Sequence, residues 1–210
     1  MLRVGLKGIE EHGIEALSMN DVAAEAGSSI GALYFRFGDK AGLVRAALEL
    51  AIDEFVRRGE ALLEDAVARN QTTEQILRRW IRLQIDVVRR RRHLVREMLG
   101  YAARRPESWD PIHRMREALH DELFAALERQ GARPLDPDRV MRLRIGLQIV
   151  GGTLIQMVIV NPGPLRLDDP TLEGVLVDLL LSYAMAQSDG DRKNGARTPR
   201  RGRGPQGRNR

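Results

Sequence analysis

The chain has 210 residues, 43% of them hydrophobic and 30% charged, with no cysteine and a formal net charge of +5. That length suits one small and one larger domain with a real core; the missing cysteines exclude a disulfide framework and a thiolate metal site, and the cytoplasm is the expected compartment. The positive charge says little about nucleic acid: residues 189–210 hold eight basic side chains against two acidic ones, +6, so the rest of the chain totals about −1.

In chain order, Leu2–His12 is predicted as a first helix closed by Gly13. Charges and glycines interrupt Met1 to Ile14, so no signal peptide is read there. Met19 to Lys40, reading MNDVAAEAGSSIGALYFRFGDK, comes next. Val22, Ala23 and Ala26, then Leu33 and Phe37, have helical spacing on either side of Gly27, a residue favoured just past a helix C-terminus. Ser18 is placed to cap the first of these segments, with Asp21 completing a variant capping box, and Ser28 or Ser29 to cap the second. Helix, tight glycine turn and helix is the helix-turn-helix arrangement that lays its second helix in a DNA major groove, although helix pairs with such a turn also serve as plain packing units. Charge does not announce the role, since residues 1–56 carry five basic side chains against nine acidic ones.

Ser18-Met19-Asn20-Asp21-Val22-Ala23, Ala26-Gly27, Ser29, Gly31, Leu33-Tyr34-Phe35-Arg36-Phe37 and Lys40, preceded by Glu11-His12-Gly13, stand in the order and spacing of one family. Over this first fifth the chain resembles the TetR family of bacterial transcriptional regulators. The resemblance implies that Ser18, Asn20, Ser28, Ser29, Ile30, Gly31, Ala32, Tyr34, Phe35, Arg36 and Lys40 bind DNA. Hydroxyls and helix N-termini would meet phosphate, Tyr34 and Lys40 would add phosphate contacts, and Arg36 would reach phosphate or guanine. Ile30 and Ala32 occupy positions where the family often has polar residues, which implies contact with thymine methyls. Family members also carry a longer basic lead into the first helix than this chain has.

Gly38-Asp39 reads as a turn, with Asp39 capping a long fourth helix from Lys40 to about Ala68. A fifth, capped by Thr72 or Thr73, runs to about Arg90, and its cationic close, Arg89 to Arg92, is read as a solvated helix end. A sixth is predicted over residues 93–104 and a seventh over 109–130. The eighth opens at Pro137 or Asp138 and runs to about Val160. It contains the uncharged stretch Ile145 to Val160, too short and too often interrupted by Gly and Gln for the roughly 20 apolar residues of a membrane span, and so read as a buried helix. A ninth is expected with Asp169 as cap, Pro170 at its first position and an end near Gln187. No strand or repeat pattern competes, and the Gly-, Arg- and Pro-rich tail is expected to be disordered.

The expected architecture is therefore all-α: a helix-turn-helix DNA-binding domain over residues 1–45, a helical effector-binding and dimerisation domain over 46–188, and a basic tail over 189–210. The eighth and ninth helices are apolar over more of their circumference than one core needs. A homodimer through Gly151, Gly152, Leu154, Ile155, Leu176, Leu179, Leu180 and Tyr183 is expected, as in the family, with double-stranded operator DNA and a small-molecule effector as partners. Candidate pocket residues are Trp80, Gln84, Met98, Tyr101, Met115, His120 and Phe124, which implies an apolar or aromatic ligand. Glu117 and His120 have the Glu-x-x-His spacing of a di-iron bundle, but no second copy accompanies them, so no metal, cofactor or enzymatic activity is expected. A helical scaffold for protein partners is the other rival, and a DNA-shift assay separates it from a regulator.

Overall fold

The computed structural model describes residues 1–131 and 135–185; the basic tail lies outside them. Among the described residues there is no strand, and among the described residues nine α-helices follow one another: α1 (Leu2–His12), α2 (Met19–Glu25), α3 (Ile30–Phe37), α4 (Lys40–Ala68), α5 (Thr73–Arg90), α6 (Arg92–Arg104), α7 (Asp110–Gln130), α8 (Pro137–Ile159) and α9 (Leu172–Met185).

Local chemistry accounts for most of these limits. Asp39 caps α4 by accepting from the Gly42 N–H at 2.7 Å. Thr72 and Gln75 form a reciprocal capping box at the start of α5, the two bonds being 2.9 and 3.3 Å, which contributes about 1 kcal/mol. Pro106–Trp109 forms a 3-10 turn between α6 and α7, so α7 begins one residue later than expected. The ninth helix differs more. Pro170 stays outside it, because the Asp169 carboxylate accepts from the Thr171 N–H at 2.8 Å and the Thr171 hydroxyl at 2.6 Å, closing a turn before α9 starts at Leu172.

Two hydrophobic clusters hold the helices together. The first gathers Leu6 and Ile9 of α1, Val22 and Ala23 of α2, Leu33 of α3, and Leu43, Val44 and Ala47 of α4, joined by Leu94 and Tyr101 of α6. The second joins the far half of α4 to α5, α7, α8 and α9 around Ile76, Leu77, Trp80, Leu123, Leu147 and Leu180. Burying each large aliphatic side chain contributes about 1.5–3 kcal/mol. α4 is unbroken through residue 45 and takes part in both clusters. At Gly59 it admits its neighbours closely, since a Cβ there would lie 2.9 Å from Leu119 and 3.2 Å from Trp80.

The arginines around the α5–α6 junction are mostly exposed, as a solvated helix end implies, but they also tie elements together. Arg89 donates to the carbonyls of Leu167 at 2.7 Å and Asp169 at 2.9 Å. Arg96 donates to Val158 at 2.8 Å and Arg92 to Met157 at 3.5 Å, covering carbonyls that the end of α8 leaves without helical partners. The eighth helix is not wholly buried. Leu143, Leu147, Val150, Leu154 and Met157 face the core, while Met141, Ile145, Ile149, Ile155 and Ile159 are exposed.

Candidate nucleic-acid interface and ligand cavity

The α2–α3 unit is set by its caps and its turn. Ser18 Oγ accepts from the Asp21 N–H at 3.4 Å and Ser29 Oγ from the Ala32 N–H at 3.1 Å. Between the helices Gly27 has φ +61, and two backbone bonds, Gly27 N–H to Ala24 O and Ser28 N–H to Ala23 O, close a Schellman turn. A β-carbon is strained at that φ, which is why glycine stands there. Lys7 of α1 donates to Glu25 of α2 at 2.8 Å, and that bond raises the Lys7 pKa.

α3 buries only Leu33. Ile30, Tyr34 and Phe35 are exposed by 37%, 51% and 96%, and Gly31 and Arg36 are exposed beside them, so one surface carries most of the expected DNA-binding residues. Asn20 is exposed on α2, and Ser18, Ser28 and Ala32 are half-buried. The Arg36 guanidinium stands over the Phe37 ring at 5.5 Å. Lys40 makes a contact that its place in the motif did not suggest: its Nζ donates to the Glu15 carbonyl at 2.7 Å, tying the start of α4 to the α1–α2 connection.

A cavity of about 420 Å³ lies in the other half of the molecule, bordered by α4 to α8 and Trp109. Five of the expected pocket residues line it: Trp80, Gln84, Met98, Met115 and His120. Two do not. Tyr101 turns into the first cluster, with the Arg105 guanidinium 4.5 Å over its ring, because α6 packs that side on α1. Phe124 is buried in the second cluster beneath Arg144 at 5.1 Å. His113, which shares a face with His120 by spacing and was open to either a pocket or a partly buried surface, lines the cavity, and so does Trp109, which the sequence reading missed; the two rings stack 6.1 Å apart. Trp109 and His113 lie about three and two helical turns back from His120, and following that spacing would have found Trp109.

Burial, with Arg116 and Arg144 next in effect, lowers the His120 pKa to about 4, so this imidazole is neutral at pH 7. Trp80 Nε1 and Gln84 Nε2 are buried without hydrogen-bond partners. Glu117 is exposed while His120 faces the cavity, so the Glu-x-x-His pair does not converge on one point.

The residues expected at a dimer interface separate into two groups. Leu154, Leu176 and Leu180 are 2%, 2% and 0% exposed and belong to the protomer's own core, and Gly151 borders the cavity. Gly152, Ile155, Leu179 and Tyr183 are exposed, alongside Met141, Ile145, Ile149, Ile159 and Val175. Exposed and buried stripes alternate about every half turn on these helices.

Residues 2–47 match the family of bacterial regulatory proteins described as the tetR family. No curated protein sequence matches the chain. Solved structures share its fold. A TetR-family transcriptional regulator from Mesorhizobium loti is 18% identical, with 86% of this chain and 93% of that one covered and a TM-score of 0.67. A TetR transcription regulator from Haloarcula marismortui is 21% identical over 88% and 94%, with a TM-score of 0.62. The multidrug binding protein EbrR, solved with proflavin, is 20% identical over 85% and 96%, with a TM-score of 0.51. Residues 2–47 are therefore a DNA-binding domain of the TetR family, carried on a fold that the chain shares with TetR-family transcriptional regulators over most of its length.

Proposed function

We propose that the chain acts as a homodimeric repressor, which occupies a near-palindromic operator and leaves it when a small apolar or aromatic molecule fills the cavity. Residues 1–45 serve as the reading unit and 46–188 as the effector-binding and dimerisation unit. The observation that carries this reading is the course of α4: the helix begins at the foot of α3 and, without a break, lines the cavity with Ala51, Ile52 and Phe55. A ligand that favours one tilt of α4 changes the placement of α3. Two recognition helices in a dimer have to lie roughly 34–36 Å apart to enter successive major grooves, so a small rotation spoils the fit. The ligand supplies only its differential affinity for the two tilts, and couplings between sites are typically about 1–3 kcal/mol, or roughly 5–150-fold in operator affinity.

Two further features support the reading. The exposed stripes of α8 and α9, Ile145, Ile149, Ile155, Leu179 and Tyr183 among them, form an apolar face of the kind that a second copy covers. EbrR, which shares the fold, is a multidrug binding protein solved with proflavin, in keeping with a ligand-binding role for the cavity. Selection of bound DNA from a random pool tests the reading. The expected product is a near-palindrome with half-site centres about one helical turn, or a multiple, apart. Recovery of no enriched motif by folded protein would refute it. Ile149→Glu is expected to yield a monomer that still folds and loses most operator affinity.

A further inference from the structure

The cavity's rim is more charged than its apolar walls imply. Arg58, Arg91, Arg116 and Glu54 border it, three guanidiniums against one carboxylate. Among the described residues no carboxylate lies within ion-pair distance of Arg58 or Arg116. Glu54 is already held twice, accepting from Arg3 at 3.2 Å and from Arg91 at 2.8 Å. A cationic ligand would have to displace a guanidinium from Glu54, whereas an anionic one meets guanidiniums with spare donors. An apolar body suits the remaining walls.

Arg91 is the cation that also reaches the DNA-binding end. It lines the cavity, donates to Glu54 of α4, and lies with its Nε 3.3 Å from Glu10 Oε1 of α1. The contact with Glu10 is an ion pair without hydrogen-bond alignment, and Glu10 Oε1 is buried with no other partner. Of the two carboxylates on Arg91, Glu10 is therefore the weaker holder and the one that depends on it more. α6, a few residues on, fastens the same region a second time: Glu97 accepts from the Ile14 N–H at 2.8 Å, and Leu94 and Tyr101 pack into the first cluster.

We infer that the cavity takes an amphiphile with a carboxylate head on an apolar body, and that the head binds Arg91 in competition with Glu10. The inference deepens the proposed function and rests on it only for the consequence at DNA. When the ligand takes Arg91, Glu10 keeps a buried oxygen without a cation, a costly state that favours displacement of α1. The head thus converts occupancy of the cavity into a loosened attachment of the DNA-binding helices.

Decanoate and 1-decanol share an apolar chain and differ in the charge of the head. Both of the chain's tryptophans, Trp80 and Trp109, line the cavity, so intrinsic fluorescence reports the binding of either. Decanoate is expected to bind at least about tenfold more tightly, the size of a charge-assisted hydrogen bond. Arg91→Gln should bring the two within about twofold of each other. Glu10→Gln, which lies outside the cavity and removes the competitor, should tighten decanoate severalfold and leave decanol unchanged. Equal affinities in the wild type, no binding of decanoate, or a preference that survives Arg91→Gln would each overturn the inference. Should Arg91→Gln not fold, Glu10→Gln decides alone, and unchanged decanoate affinity there is fatal. Titration in the presence of operator separates the two readings. Arg91-dependent decanoate binding with no effect on DNA keeps the site and sinks the switch; release of DNA by decanol as readily as by decanoate keeps the switch and sinks the head-group assignment.

Discussion

The two ends of α4 depart from ideal packing in opposite directions. At the first, α3 buries one residue, Leu33, and presents Ile30, Tyr34 and Phe35 to solvent. At the other, five helices line a cavity of about 420 Å³ and leave the Trp80 and Gln84 donors buried without protein partners. Each buried unpaired donor costs about 1–3 kcal/mol, and open space forfeits dispersion contacts on every wall. One end therefore exposes what would be better covered, and the other keeps open what would be better filled. Departures of this kind mark functional sites in a chain whose caps, turns and core otherwise agree with its fold.

The largest expected effect tests whether the two ends are one folding unit. Leu33→Ala and Leu123→Ala each empty a fully buried position in a different cluster and should each cost about 2–5 kcal/mol in chemical denaturation. Because α4 and α6 tie the clusters together, both variants should unfold in a single transition; two separate transitions would show that the reading end folds on its own.

A smaller effect belongs to the cavity alone. The folded pKa of His120, about 4, lies below the ordinary 6.5, so below pH 6.5 the unfolded chain takes up a proton that the folded chain refuses. The stability this contributes is complete above about pH 6.5 and is lost as pH falls toward 4. Relative to His120→Gln, the wild type should lose about 2 kcal/mol between pH 7 and pH 4, after allowance for solvent in the cavity. A parallel course of the two curves would place His120 in water.

Below that lies the bidentate pair of Arg82 with Glu173, at 2.7 and 2.8 Å, between α5 and α9. Arg82 is well exposed, so Arg82→Ala should cost under about 1 kcal/mol, and less in high salt. Phe35→Ala should change stability by less than about 0.5 kcal/mol, since nothing covers the ring, yet lower operator affinity tenfold or more. Unchanged DNA binding there would remove Phe35 from the interface. Deleting residues 189–210, with their eight basic side chains, should leave stability and preferred sequence alone and flatten the salt dependence of DNA binding; identical slopes would mean that the tail makes no contact with DNA.

The contrast between the ends also explains what could be read from the sequence. The limits of α1 and α4 and the turn at Gly27 follow from neighbours a few residues away, and they were legible. The side that a helix turns inward follows from partners far along the chain. On α8 and α9 nearly every position of the central turns is apolar, so spacing alone could not separate the buried Leu154, Leu176 and Leu180 from the exposed Ile145, Ile149 and Val175. Tyr101 was misread for the same reason, since α6 is apolar on two sides and the packing of α1 takes one of them. Lys40 fitted a phosphate by its place in the motif, and only the path of the α1–α2 connection brings the Glu15 carbonyl to it.

Gly151 and Gly152 sit where the cavity meets the open face of α8, and a Cβ at either would have no neighbouring atom within 4 Å. Exchanging a helical glycine for alanine ordinarily gains about 0.5–1 kcal/mol. One base change converts a glycine codon to alanine, and others give valine, serine or a charged residue. Both positions are thus open to mutation that reshapes the mouth of the cavity while leaving the fold intact or strengthening it. On the proposed function, the range of molecules sensed would drift over evolutionary time through these two codons while the surface of α3, at the far end of α4, stays as it is.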